Sequence, residues 1–144
     1  YQLKFGSDLL SDVVFDNGMH NNGCIRIHRR PDAPVTGTCL IFGDSFGTNL
    51  AQALSNVFTQ LIYSYRPATF DEALVDILQP DYLIFQITQR FLIGQPNRVY
   101  SIFDTVLNKM GALNTQERNR ILQIHQGFFG TEFEPLVRPV IAGL

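Results

Sequence analysis

Gly43-Asp44-Ser45-Phe46-Gly47 is the stretch of this 144-residue sequence whose residue types and spacing could do chemistry. It follows a short apolar run, Thr38-Cys39-Leu40-Ile41-Phe42, and precedes an amphipathic one, Asn49–Phe58. A strand that ends in a glycine-flanked serine and opens into a helix places the hydroxyl on a sharp turn. The turn lies at the carboxyl edge of the sheet, close to the backbone N–H groups of the helix N-terminus. Those groups could hold a developing oxyanion or a phosphate, and the residue pattern leaves both open.

A serine hydroxyl needs a base before it can attack a carbonyl. The sequence offers His20, His28 and His125. His125 falls inside a predicted helix and reads as a packing or surface residue. His28 sits among arginines that disfavour its protonation. His20, in a polar loop with Asp16 four residues earlier, is the best placed of the three. No Asp-x-x-His follows the serine and no Asp-x-His precedes it. Neither metal-ligand spacing nor a dinucleotide fingerprint is present, so no metal and no cofactor is expected.

The elements that must position Ser45 are read from residues 38–87. Leu50, Leu54, Val57 and Phe58 recur on one helical face after the first strand. Leu61–Tyr65 is the next strand, and Thr69-Phe70-Asp71-Glu72 has the spacing of a capping box. Phe70, Leu74, Ile77 and Leu78 repeat the helical face up to Pro80. Asp81–Ile87 is a nearly continuous apolar strand, the pattern of a strand covered on both faces. This β-α-β-α-β order implies adjacent parallel strands with right-handed crossovers. The three strand ends then deliver Asp44 and Ser45, Tyr65 and Arg66, and Thr88, Gln89 and Arg90 to one rim. Upstream, 13–15 and 24–28 read as short strands around polar turns. Downstream, a stripe from Val99 to Met110 follows an Asn97 cap, and Asn114 with Glu117 opens a helix that Gly127 closes. The tail with Phe128, Phe129, Phe133, Pro135 and Pro139 has no clear period.

The bulk properties are those of one globular domain over 1–144: 45% apolar and 17% charged residues exclude a disordered or fibrous chain. A formal charge of −2 gives no electrostatic footprint for nucleic acid. The local basic cluster Arg26-Ile27-His28-Arg29-Arg30 reads as a solvated strand edge. Cys39 reads as a buried free thiol, and its pairing with Cys24 is left open. No apolar run approaches the ~18 residues of a membrane span. The start at Tyr1, without an initiator methionine or a leader, sets the expectation of a fragment that lacks its N-terminal part.

Leu40-Ile41-Phe42-Gly43-Asp44-Ser45-Phe46-Gly47 resembles block I of the SGNH, or GDSL, hydrolase superfamily. With Tyr65–Asp71 and Gln79–Leu92, residues 38–92 are similar to the SGNH-like domain of the alginate O-acetyltransferase family, which acetylates bacterial exopolysaccharides. That family ends its third strand in Glu-Arg-aromatic-Leu; here Gln89 replaces the glutamate, while Arg90, Phe91 and Leu92 fit. The resemblance implies an α/β fold, an SGNH-like parallel sheet of three or more strands flanked by helices, with a helical C-terminal extension. It implies Ser45 as the nucleophile, with Asp44, Phe46, Gly47, Arg66, Gln89 and Arg90 as oxyanion or substrate-binding residues. It also implies a carbohydrate substrate, an acyl donor and an extracytoplasmic setting. The family's upstream Asp-x-His is missing, so the chain is expected to be truncated or catalytically degenerate, and weak or inactive by itself. A non-catalytic carbohydrate-binding module on the same fold is the alternative, and a flavodoxin-like phosphate or flavin binder the third.

Overall fold

The computed structural model describes residues 11–66, 69–89 and 101–144. Two short strands, β1 (Asp12–Asp16) and β2 (Ile25–Arg29), open the described chain as an antiparallel hairpin. Its long connection is closed by Asn17, whose side chain donates to the Gly23 carbonyl and accepts from the Met19 and Ile25 N–H groups. Then come β3 (Val35–Gly43), α1 (Gly47–Leu54), β4 (Phe58–Tyr65), α2 (Glu72–Leu78) and β5 (Tyr82–Phe85). Three helices complete the described chain: α3 (Ile102–Ala112), α4 (Thr115–Gln126) and α5 (Glu134–Ala142).

The sheet order is β1-β2-β4-β3-β5. β3 pairs in parallel with β4 on one side and β5 on the other, so the parallel unit expected over residues 38–87 is present. The sheet as a whole is mixed, because β2 runs antiparallel to both β1 and β4. The basic cluster therefore lies on an interior strand, not on the solvated edge its composition suggested. Its charges are paired: Arg26 bonds Asp16 at 2.8 Å, Arg29 bonds Glu132 at 3.0 Å and Arg30 bonds Asp32 at 3.1 Å.

Strand alternation divides the core into two layers. Leu40 and Phe42 of β3, with Ile62 of β4 and Ile25 and Ile27 of β2, face α2, α3, α4 and α5. Cys39 and Ile41, with Leu61 and Tyr63, face α1. Connections that leave on opposite faces, toward β4 and then back past β3 to β5, create a switch point between the carboxyl ends of β3 and β5. The Ser45 turn lies at that point.

Several expectations shift in detail. The first helix stops at Leu54, and Phe58 already belongs to β4. The cap of α2 is Asp71, whose carboxylate accepts from the Leu74 N–H; Thr69 lies outside the helix. Ile77, expected on the packed face, is exposed. The helix expected behind Asn97 begins at Ile102 with Ser101 as its cap, while Asn97 itself lies outside the described residues. Among the described residues β5 is the edge strand of the sheet, and Tyr82, Leu83 and Phe85 are all exposed, in contrast to a strand covered on both faces. Asn114 caps α4 as expected, accepting from the Glu117 N–H at 2.9 Å.

The cysteines are both buried and free. Cys39 is level with Leu61 on the α1 face, whereas Cys24 packs in the other layer beside Ile25, which is level with Ser64. Burial pushes each thiol up to about 11.

Two histidines serve the fold. His125 is buried and its Nε2 bonds the Asn17 carbonyl at 3.0 Å, while His28 is buried in β2 near Ser11. Burial holds both imidazoles below the ordinary 6.5, at His28 with a further push from Arg26. The unfolded chain therefore takes up these protons first as pH falls through 6.5. Stability from the neutral rings is present above that pH and is lost as pH falls through the lower folded values. The midpoint of thermal unfolding is expected to drop on acidification below 6.5. The drop should shrink in a His28→Gln/His125→Gln double variant, and an equal drop in both proteins would refute this account.

Candidate functional site

Two glycines make the turn possible. A Cβ on Gly47 would lie 2.9 Å from Gln86 Oε1 and 3.0 Å from the Tyr63 ring, and one on Gly43 would lie 3.1 Å from Gln86 Oε1. The backbone can thus settle onto Tyr63 and the Gln86 amide. The Tyr63 hydroxyl donates to the Asp44 carbonyl at 2.6 Å and accepts from Thr48 at 3.3 Å. Burial, helped by the nearby Asp44 charge, pushes this phenol up to about 12, so it remains a donor and is no base.

Asp44 is 1% exposed and points down into the turn. One carboxylate oxygen accepts from the Phe46 N–H and the other from the Thr88 N–H, both at 2.9 Å. Its own N–H donates to Gln86 Oε1 at 3.0 Å, and the Gln86 N–H donates to the Phe42 carbonyl at 2.8 Å. The β3–α1 turn and the chain leaving β5 are laced together by these bonds. Burial pushes the Asp44 carboxyl up, but the Thr88 hydroxyl, the two N–H groups and the Gln86 amide together hold it below its ordinary range. The Thr88 hydroxyl itself is buried without a hydrogen-bond partner, yet lies close enough to favour the charge.

The Gly47 N–H donates to the Asp44 carbonyl at 2.8 Å. Gly43, Asp44 and Gly47 are therefore buried and engaged in building the turn. Ser45 and Phe46 are left on the outside, Phe46 with 60% of its surface exposed. Among the described residues, neither the Ser45 hydroxyl nor its N–H makes a hydrogen bond. Gln89 is exposed at the end of the neighbouring connection. Arg66 follows β4, whose Tyr65 is level with Gly43, so it stands at the same end of the sheet as Ser45; it is half-buried and engaged. Arg90 lies outside the described residues.

No histidine is brought to Ser45. His28 is level with Leu61 and hence with Cys39, four residues back from the rim along β3. His125 bonds Asn17, just beyond β1 and three strand positions from β3, roughly 14 Å across the sheet. His20 is exposed in the β1–β2 connection, its carbonyl held by Lys109, two to three strand positions away. Tyr63 and Thr48 were missed from the sequence as parts of the site. Their signal is the strand register, which sets Tyr63 beneath the turn. Among the described residues no group of three His, Cys, Asp or Glu side chains could hold a metal ion, and no helix is long and apolar enough to cross a membrane. No family model, curated protein or solved structure matches the chain.

Proposed function

We propose that the rim is the ester site of an SGNH-type serine acetyltransferase or esterase acting on a bacterial polysaccharide, with Ser45 as nucleophile. The observation that carries this reading is the turn itself: its buried residues are all engaged, and Ser45 is presented unengaged and exposed at the switch point. The Ser45 hydroxyl would attack the acetyl carbonyl, its proton passing to a base. The leaving alkoxide is then protonated, and a sugar hydroxyl or water takes the acyl group from the serine ester. The Ser45 N–H is available to the oxyanion, a donor worth roughly 3 kcal/mol in comparable sites. The Phe46 and Gly47 N–H groups are bonded within the turn. Asp44 faces inward, so among the described residues Ser45 has no positioned base, and the chain alone is expected to be weak or inactive.

The placement of the three histidines favours a second reading, a carbohydrate-binding module on the same rim. A phosphate or flavin site is disfavoured, because the Asp44 carboxylate already occupies the Phe46 and Thr88 N–H groups that such an anion would use.

Hydrolysis of p-nitrophenyl acetate separates these readings. The 144-residue chain is expected to show little or no turnover. A longer form that supplies an upstream Asp-x-His should hydrolyse the ester and lose that activity in Ser45→Ala. Robust turnover by the short chain that disappears in His20→Ala would make His20 the base. Undiminished activity of the longer form with Ser45→Ala would remove Ser45 from the mechanism, and no activity in either form would leave the binding module.

A further inference from the structure

We propose that Phe46 is the platform on which a pyranose ring of the substrate stacks beside Ser45, an inference that rests on reading the rim as a carbohydrate site. The Phe46 backbone is fixed on both sides. Its N–H is held by the Asp44 carboxylate at 2.9 Å, and its carbonyl accepts from the Asn49 and Leu50 N–H groups at 3.2 and 3.4 Å. The space beneath the turn is filled, since the Gly47 Cα already packs against Tyr63 and Gln86 with no room for a Cβ. The ring is therefore held on the solvent side, 60% exposed, while its neighbours Asp44 and Gly47 are buried.

An exposed aromatic face next to an unengaged hydroxyl suits a ligand with one apolar and one polar aspect. Sugar rings have that character: their axial C–H groups form a weakly positive face that packs on the negative face of an aromatic ring. Ser45 and Phe46 are adjacent, with Cα atoms about 3.8 Å apart, and both are exposed, so a ring stacked on Phe46 would lie beside Ser45. The exposed Gln89 amide, beyond the end of β5, is a planar donor and acceptor suited to ring hydroxyls. An anionic ligand finds no such welcome, because Asp44 fills the backbone donors of the turn with a fixed negative charge.

The sequence contains no tryptophan, which makes the test direct. Phe46→Trp installs a sole indole reporter at the proposed platform. Titration with acetylated xylo-oligosaccharides and, separately, acetylated cello-oligosaccharides, both neutral, is expected to give a saturable blue shift of its emission with at least one of them. Calorimetric affinity of wild type for that saccharide should fall about tenfold or more in Phe46→Ala and be retained in Phe46→Tyr, with unchanged unfolding midpoints. Equal binding by wild type and Phe46→Ala would overturn the platform and leave the carbohydrate reading standing. No binding of either saccharide by wild type would overturn both. A response of the Phe46→Trp emission to inorganic phosphate alone would likewise overturn the proposal, by making the rim an anion site.

Discussion

Asp44→Ala is expected to lower the unfolding free energy by about 1–3 kcal/mol, since two half-buried N–H groups lose a charged acceptor. The Phe46 and Thr88 N–H groups that bond the carboxylate belong to different connections, so the loss is not confined to one turn. The side chain is shielded but lies just beneath the rim, which places the effect below that of a deeply buried ion. Asp44→Asn keeps one acceptor but turns an amide N–H₂ toward a backbone N–H, so it is expected to be destabilising as well. Because the folded carboxyl titrates below its ordinary 3.8, its stabilisation is present above that pH and is lost as pH falls through the lower folded value. The Asn variant should lose this acid limb of the stability curve. Urea unfolding at neutral pH and at pH 3 measures both effects. A change under about 0.5 kcal/mol for Asp44→Ala, the range of an ordinary surface substitution, would show that the lacing contributes little.

Why Asp44 could be read from sequence as a site residue, and not as a structural staple, is a matter of range. Its partner Thr88 is 44 residues away and meets it only once β3 and β5 pair. Local pattern sees the glycines, the serine and the strand–turn–helix order. It does not see the N–H group that the fold brings under the turn. The parallel unit was legible for the opposite reason: each apolar run and each helical stripe reports on its own neighbourhood, and chain length between the runs dictates the crossovers. The antiparallel hairpin could be recognised as two short strands, but not its docking against β4, which makes the sheet mixed. A continuous apolar run such as Tyr82–Phe85 signals strand but does not say whether anything lies beyond it, and here it forms the edge among the described residues. Helix α5 was hidden by its prolines. Pro135 sits in the first turn, where a missing N–H is harmless, but Pro139 lies in the interior, where it removes a helical bond and normally argues against helix. Burial of Leu136, Val137 and Val140 in the core, with α5 against α2, α3 and α4, outweighs that penalty. The candidate base was the least legible feature, because three scattered histidines carry no pattern that tells a buried ring from a reactive one.

Asp71→Ala is expected to destabilise the protein by about 3–4 kcal/mol, more than the loss of one N-cap, which typically costs about 1 kcal/mol. The capping-box spacing at Thr69–Glu72 drew attention to this segment, yet the structure gives the cap to Asp71. One of its carboxylate oxygens accepts from the Leu74 N–H at 3.0 Å and so caps α2. The other accepts from the Ile102 N–H at 2.6 Å, the first residue of α3. A fully buried carboxylate thus sits between two helix N-termini, where both sets of backbone dipoles favour negative charge. Removing it leaves two buried N–H groups unsatisfied and takes away the polar tie between α2 and α3, either side of residues 90–100. Leu74, Ile102 and Phe103 pack in the same layer of the core, so the helices should stay docked and the effect should appear as lost stability without collapse of the fold. Asp71→Asn can keep one bond and is expected to lie between wild type and Ala. Amide hydrogen exchange provides the decisive reading alongside urea unfolding. If the tie is as described, protection at Leu74 and Ile102 falls together in Asp71→Ala beyond the global change. Loss at Leu74 alone would mean that Asp71 is a simple cap of α2 and that α3 is held by packing.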